Sequence, residues 1–178
     1  MRESKIKKRW DCLIGILSDS HDNMDAIRKA VEFFNEKDVK AVLHAGDLIS
    51  PFTARAFKEL KPKFYFVFGN NDGDKLTLTK HFEEIGATVC GEFGDLTIDG
   101  LHIALLHGTS EAVVKALARS GDFDVIVRGH THDPAVKIIE GIPVINPGEC
   151  SGVLSGKSTV AILEIANLNI EITELKLY

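Results

Sequence analysis

Five short runs of this chain carry side chains that bind cations: Asp19-Ser20-His21, Gly46-Asp47, Gly69-Asn70-Asn71-Asp72, Leu106-His107-Gly108 and Gly129-His130-Thr131-His132. Their candidate ligands are Asp19, His21, Asp47, Asn70, His107, His130 and His132. Carboxylate, amide and imidazole donors form a mixed O and N set that suits Mn, Fe, Co, Ni or Zn. Brought to one place, such a set can hold two ions. Two ions about 3.5–4 Å apart share a water, lower its pKa and clamp the oxygens of a phosphoryl group.

Taken singly, each run has a plainer reading. If the chain stays extended, Asp19 and His21 alternate with Ser20 and project to one side. Asp47 has two oxygens with which to bridge two ions, yet alone it reads equally as a loop acid or a cap. Gly69-Asn70-Asn71-Asp72-Gly73 has the composition of a turn. His130 and His132, one residue apart after an apolar run, make a good pair of imidazole donors. Their joint occurrence, each just past a strand-like segment, favours a metal site over the separate readings.

The elements that must position them alternate over the first two-thirds of the chain. Cys12–Leu17, Val39–Leu43, Phe64–Phe68 and Asp124–Val127 read as buried strands. Asn23 caps a helix whose Met24, Ile27, Val31 and Phe34 share one face. Ser50-Pro51 opens a second, with Phe52, Ala56 and Leu60 on a face, and Lys75–Ile85 forms a third, stopped by Gly86. Ser110 caps a fourth through Ala118, with Val113, Val114 and Leu117 as its buried stripe. Asp99-Gly100 between Leu96–Ile98 and Leu101–Leu106 is a tight hairpin signal. Val136–Ile139, Ile142–Ile145, Thr159–Ile165 and Leu168–Leu177 make the last third mostly antiparallel. The chain is thus expected to be α/β, with two sheets in one domain spanning residues 1–178. The carboxyl ends of parallel strands are where ligands bind in such folds.

Length, composition and charge set limits. The 178 residues are 44% hydrophobic and 26% charged, as in an ordinary globular domain. A net charge of −5, with no basic stretch interleaved with aromatics, argues against a nucleic-acid surface. Met1–Trp10 is basic and reads as a solvated, flexible extension rather than a signal peptide, because the apolar run after it is short. No stretch is long enough to span a bilayer. Cys12, Cys90 and Cys150 have neither clamp nor disulfide spacing. They point to a reducing cytoplasm, with Cys12 and Cys90 as small buried hydrophobes in strand-like runs.

The order Asp-x-His, Gly-Asp, Gly-Asn-x-x, His, Gly-His-x-His, from Asp19 to His132, resembles the calcineurin-like metallophosphoesterase superfamily. Gly69-Asn70-Asn71-Asp72, Asn146-Pro147-Gly148 and the short length are similar to its small prokaryotic phosphodiesterase branch. The resemblance implies a β-sandwich of two mixed sheets flanked by helices. It implies Asp19, His21 and His132 on one divalent ion, Asn70, His107 and His130 on a second, and Asp47 bridging, with Mn or Ni favoured over Fe, Co and Zn. His44 falls outside the pattern, either behind the ligands or packed in the core. His81 is expected on an exposed helix surface and His102 on the strand face away from the site.

Many members of that superfamily carry Gly-Asn-His-Glu, whose histidine is placed to protonate the leaving group. Here Asn71 stands in its place. It can hydrogen-bond a phosphate oxygen but cannot deliver a proton, a loss worth roughly two to four powers of ten on poor leaving groups. The expected activity is hydrolysis of a small phosphodiester by a metal-bridging hydroxide, with Asp47, Asn71 and His107 at the reaction centre. Two rivals are a nuclease and a catalytically weak metal-binding scaffold resembling the eukaryotic retromer subunit. The oligomeric state stays open, an uncovered sheet edge being the route to a homodimer.

Overall fold

The computed structural model describes residues 12–177, so the expected extension at Met1–Trp10 lies outside the described residues. Its strands are β1 (Leu13–Leu17), β2 (Ala41–His44), β3 (Lys63–Phe66), β4 (Thr88–Val89), β5 (Phe93–Ile98), β6 (Leu101–Leu106), β7 (Val125–Val127), β8 (Ala135–Ile139), β9 (Ile142–Asn146), β10 (Ser158–Glu164) and β11 (Asn169–Leu175). The helices are α1 (Met24–Glu36), α2 (Ala54–Phe57), α3 (Lys75–Glu84) and α4 (Glu111–Ser120). They build two mixed sheets flanked by helices. A six-stranded sheet has the order β11-β10-β1-β2-β3-β4, and a five-stranded sheet the order β5-β6-β7-β9-β8.

Apolar side chains from both inner faces fill the space between the sheets. Ile14, Ile16 and Leu43 from the first meet Ile103, Leu105, Val125 and Val127 from the second. Each fully buried aliphatic side chain contributes roughly 1.5–3 kcal/mol. Outside the first sheet, Ala26, Ile27, Ala30, Val31 and Phe34 present the apolar stripe of α1 to the same cluster as Phe66, Leu78 and Phe82. Asn23 caps α1 as expected, its side chain accepting the Ala26 N–H at 3.2 Å. Outside the second sheet, Val114 and Ala118 of α4 pack with Leu106, Ile126 and Val144.

The parallel strands decide where the chemistry gathers. β1, β2 and β3 run parallel in one sheet, and β6, β7 and β9 run parallel in the other. Asp19, Asp47, Asn70, His107 and His130 each follow the carboxyl end of one of these strands. The two sheets therefore deliver all five runs to one end of the sandwich.

Several local expectations are revised. The helix begun at Ser50-Pro51 is a 3-10 turn, Pro51–Thr53, followed by only four α-helical residues. Phe52 is 47% exposed, because the tight 3-10 turn rotates it off the face that Ala56 buries. In α4, Ser110 makes no side-chain cap bond and Val113 is 50% exposed, while Val114 and Ala118 carry the contact with the sheet. The last third is mostly antiparallel, as expected, with β9 beside β7 in parallel as its one exception among the described residues. The hairpin β8–β9 puts β9 inside the sheet, where its direction matches β7. Cys90 is half-buried and lies outside β4, whereas Cys12 and Cys150 are buried.

Candidate metal centre

Backbone conformation, not extension, aims the candidate ligands. Asp19, His21, Asp47, His130 and His132 have φ values of 52, 39, 61, 73 and 58°. Left-handed φ is uncommon outside glycine, and strain of this kind concentrates where a site needs it. Asp19 and His21 do face one another's ligand atoms, but through left-handed turns instead of the strand alternation expected. Two glycines admit the close approach of the loops. A β-carbon on Gly69 would collide with the Asp47 carboxylate, and one on Gly129 with Ser18 Oγ and Asp19 Oδ2.

Two overlapping groups of ligand atoms result. Asp19, His21 and His132 form one, and Asp19, Asp47 and His107 form the other, with the atoms in each within 4.8 Å of one another. In the first, Asp19 Oδ1 lies 3.8 Å from His21 Nε2 and 3.3 Å from His132 Nε2. In the second, Asp47 Oδ2 lies 3.3 Å from His107 Nε2. The same Asp47 oxygen is 3.7 Å from His21 Nε2, so it stands between the two groups. His130 sits beside them, its ring centroid 5.2 Å from that of His107. Asn70 is exposed at the rim, where two clefts of about 370 and 510 Å³ both reach it.

The charges of these groups are mutually adjusted. Burial raises the Asp47 carboxyl, but His107 and the N–H donors of Asn71 outweigh it and hold it well below the usual carboxylate range. Burial is outweighed at Asp19 too, by the surrounding imidazoles, and its pKa is lowered. Asp19 raises the pKa of His21, and Asp47 raises that of His107 against the effect of its burial. At His130, burial and the neighbouring His107 lower it.

Asn71 does not project freely towards the cleft. Its backbone N–H donates to Asp47 Oδ1 at 2.8 Å and its side-chain Nδ2 to Asp47 Oδ2 at 2.7 Å. His44 is fully buried and packs edge-on to Phe57 and Phe64. Its Nδ1 accepts the Gly46 N–H at 3.1 Å, which puts its proton on Nε2, 3.0 Å from Ser20 Oγ. It therefore does both things left open: it is core, and it supports two ligand loops from behind. His81 is half-buried, not exposed, with Nδ1 3.3 Å from the Pro51 carbonyl. His102 pairs with Asp95 at 2.7 Å, away from the site.

Four supporting residues escaped the sequence reading. Asp72 accepts backbone N–H groups from Asp47, Ile49 and Gly69 at 3.0, 2.7 and 2.7 Å. Arg128 donates to the Gly108 and Gly129 carbonyls and pairs with Glu111. Asn146 donates to Gly129 O and Thr131 Oγ1 at 3.0 and 2.8 Å. Glu149 accepts from His132 Nδ1 at 2.9 Å. Asp72 and Asn146 lie in the quoted motifs, but which N–H or carbonyl they meet depends on distant loops.

Two buried polar atoms test whether a cation fits. Asp19 Oδ1 and His107 Nε2 have no hydrogen-bond partner among the described residues. An orphaned buried acceptor costs about 1–3 kcal/mol, and both atoms face the shared centre of the groups. A carboxylate oxygen and an imidazole nitrogen are the donors a divalent ion takes.

Known proteins share this sequence pattern and fold. The family model described as the calcineurin-like phosphoesterase superfamily domain matches residues 12–168. A phosphodiesterase of Methanocaldococcus jannaschii is 38% identical over 152 residues, which is 85% of this chain and 92% of that protein. A solved structure described as a novel archaeal phosphodiesterase superimposes with a TM-score of 0.88 at 36% identity, covering 92% of this chain and 99% of the other. A Vps29 variant of Entamoeba histolytica shares the fold, with a TM-score of 0.66 at 21% identity over 92% of this chain and 99% of its own. With its site assembled from five strand ends and its family model matched from residue 12 to residue 168, this chain belongs to the calcineurin-like phosphoesterase superfamily.

Proposed function

We propose that this protein is a divalent-metal-dependent phosphodiesterase with a two-metal site. The observation that carries the reading is the pair of orphaned buried atoms, Asp19 Oδ1 and His107 Nε2, facing one cluster of acids and imidazoles. Asp19, His21 and His132 would hold one ion, and Asn70, His107 and His130 the other. Asp47 is shared, a role supported by its Oδ2 lying between His21 and His107. When bound, the ions supply positive charge to the phosphoryl oxygens and make water a nucleophile at neutral pH. Mn or Ni is favoured, with Fe, Co and Zn also matching the donor set.

The protein's own groups do the rest. The Ala45 carbonyl lies 2.7 Å from His107 Nδ1, which fixes the proton there and leaves the Nε2 lone pair facing the cluster. Asp47, His107 and Asn71 form the reaction centre. The Asn71 Nδ2 donor, now on Asp47, stands at the mouth of the cluster and can turn to a phosphoryl oxygen. It stabilises developing charge but has no proton to give the leaving alcohol.

The clefts support a diester. One is lined by Phe68, Lys75, Ser110 and Val113, the other by Pro134, Leu154 and Ser155, and both reach Asn70. A phosphate at the cluster would send one ester arm into each. The free thiols of Cys12, Cys90 and Cys150 support a reducing, cytoplasmic setting.

His130→Ala tests the reading. Loss of this imidazole should lower diester turnover by roughly 100-fold or more while the circular dichroism spectrum stays unchanged. Wild-type turnover in that variant would exclude the reading.

A further inference from the structure

Glu149 is completely buried, yet it is not among the candidate metal ligands. It follows Asn146-Pro147-Gly148, and its neighbours bind that segment to the first ligand loop. The Cys150 N–H donates to the Ser18 carbonyl at 2.8 Å, and the Ser151 N–H to the Asp19 carbonyl at 3.1 Å. The Glu149 carboxylate has donors on both sides. Oε2 receives His132 Nδ1 at 2.9 Å and Ser151 Oγ at 2.8 Å. Oε1 receives the backbone N–H of Leu154 at 3.0 Å and that of Ser155.

With backbone N–H groups at Oε1 and a hydroxyl and an imidazole at Oε2, the carboxylate is placed to accept from every neighbour. The proton of a neutral His132 therefore sits on Nδ1, and its Nε2 lone pair is turned to Asp19 Oδ1, 3.3 Å away. The same carboxylate gathers the turn that bears Leu154, which lines the cleft beside His130 and His132. We propose that Glu149 is a positioning residue that locks His132 in the Nδ1-protonated form required of a metal ligand. It also fixes the cleft wall at Leu154 and Ser155 relative to that imidazole.

This inference rests on reading the cluster as a metal centre. Glu149→Gln keeps the shape but replaces one accepting oxygen with an NH₂ group, which donates where the carboxylate accepted. Facing His132, it makes Nδ1 an acceptor and moves the ring proton to Nε2, where the metal should bind. Facing Leu154 and Ser155, it opposes two backbone N–H groups and releases the turn.

The test pairs calorimetric titration of Mn²⁺ into metal-stripped protein with ¹⁵N–¹H spectra of the histidine rings. Wild type should bind two ions and show His132 with its proton on Nδ1. Glu149→Gln should bind one ion about 10–100-fold more weakly, the usual effect of losing a group that orients a metal-binding histidine. Two ions bound by both proteins with equal affinity would overturn the role of Glu149 and leave the metal centre standing. No ion bound by wild type would overturn both. Should the Gln variant fail to fold, the wild-type spectrum decides, since a His132 proton on Nε2 contradicts the proposal.

Discussion

The carboxylate of Asp72 holds the backbone of Asp47: Asp72 Oδ2 accepts the Asp47 N–H at 3.0 Å across 25 residues of sequence. The same side chain also takes the N–H groups of Ile49 and Gly69, so it welds the turn after β2 to the turn after β3. Neither acid could occupy its place without the other's loop. The left-handed φ of 61° at Asp47 is thereby held in the folded protein.

Asp72→Asn should destabilise the protein and weaken the site together. An amide offers one accepting oxygen where three backbone donors are buried. Leaving a donor unpaired costs about 1–3 kcal/mol, measurable as a lower midpoint in urea. Diester turnover should fall as well, because Asp47 loses its support. An unchanged midpoint would contradict the role given to Asp72.

His44 gives the stability a defined pH dependence. Burial lowers its pKa to about 3 from 6.5, so the unfolded chain takes up a proton that the folded protein refuses. Stability from this group is fully present above the unfolded value of 6.5 and is lost as pH falls towards the folded value of about 3. The slope is on the order of 1 kcal/mol per pH unit. Urea denaturation of metal-stripped wild type and His44→Asn at pH 7.5 and 5 isolates it, since the other histidines are common to both. Wild type should lose more stability than the variant on acidification; parallel losses would contradict the assignment.

In the proposed phosphodiesterase, Asn71 sets the range of leaving groups. Asn71→His should raise turnover of diesters with poorly acidic alcohols by about 100-fold or more, since an imidazole can donate the proton that an amide cannot. Diesters of p-nitrophenol, whose leaving group needs no proton, should gain little. A uniform change across both kinds of substrate, measured as kcat, would show that Asn71 acts only by holding Asp47.

Much of this was legible in the chain. The apolar runs ending at Leu17, Leu43, Phe68, Leu106 and Val127 fall on β1, β2, β3, β6 and β7 to within two residues, and the polar residues just beyond them meet because neighbouring strands share a direction. What escaped depends on tertiary contact. The burial of Glu149 follows from the way residues 150 and 151 bind Ser18 and Asp19, an arrangement with no local signature. Phe52 and Val113 illustrate the converse, since helical spacing nominated them for the core and the neighbouring turns left them half exposed. The left-handed geometry at Asp19 and His21 was hidden too, because aspartate and histidine tolerate it without requiring it.

The most direct measurement is hydrolysis of bis(p-nitrophenyl) phosphate and p-nitrophenyl phosphate by metal-stripped protein, before and after Mn²⁺ or Ni²⁺ is restored. The account expects no cleavage without metal, and metal-dependent cleavage that favours the diester. Equal or faster turnover of the monoester would contradict the diester preference. Silence towards both, in protein that still binds two ions, would contradict the enzyme and leave a metal-binding scaffold in its place.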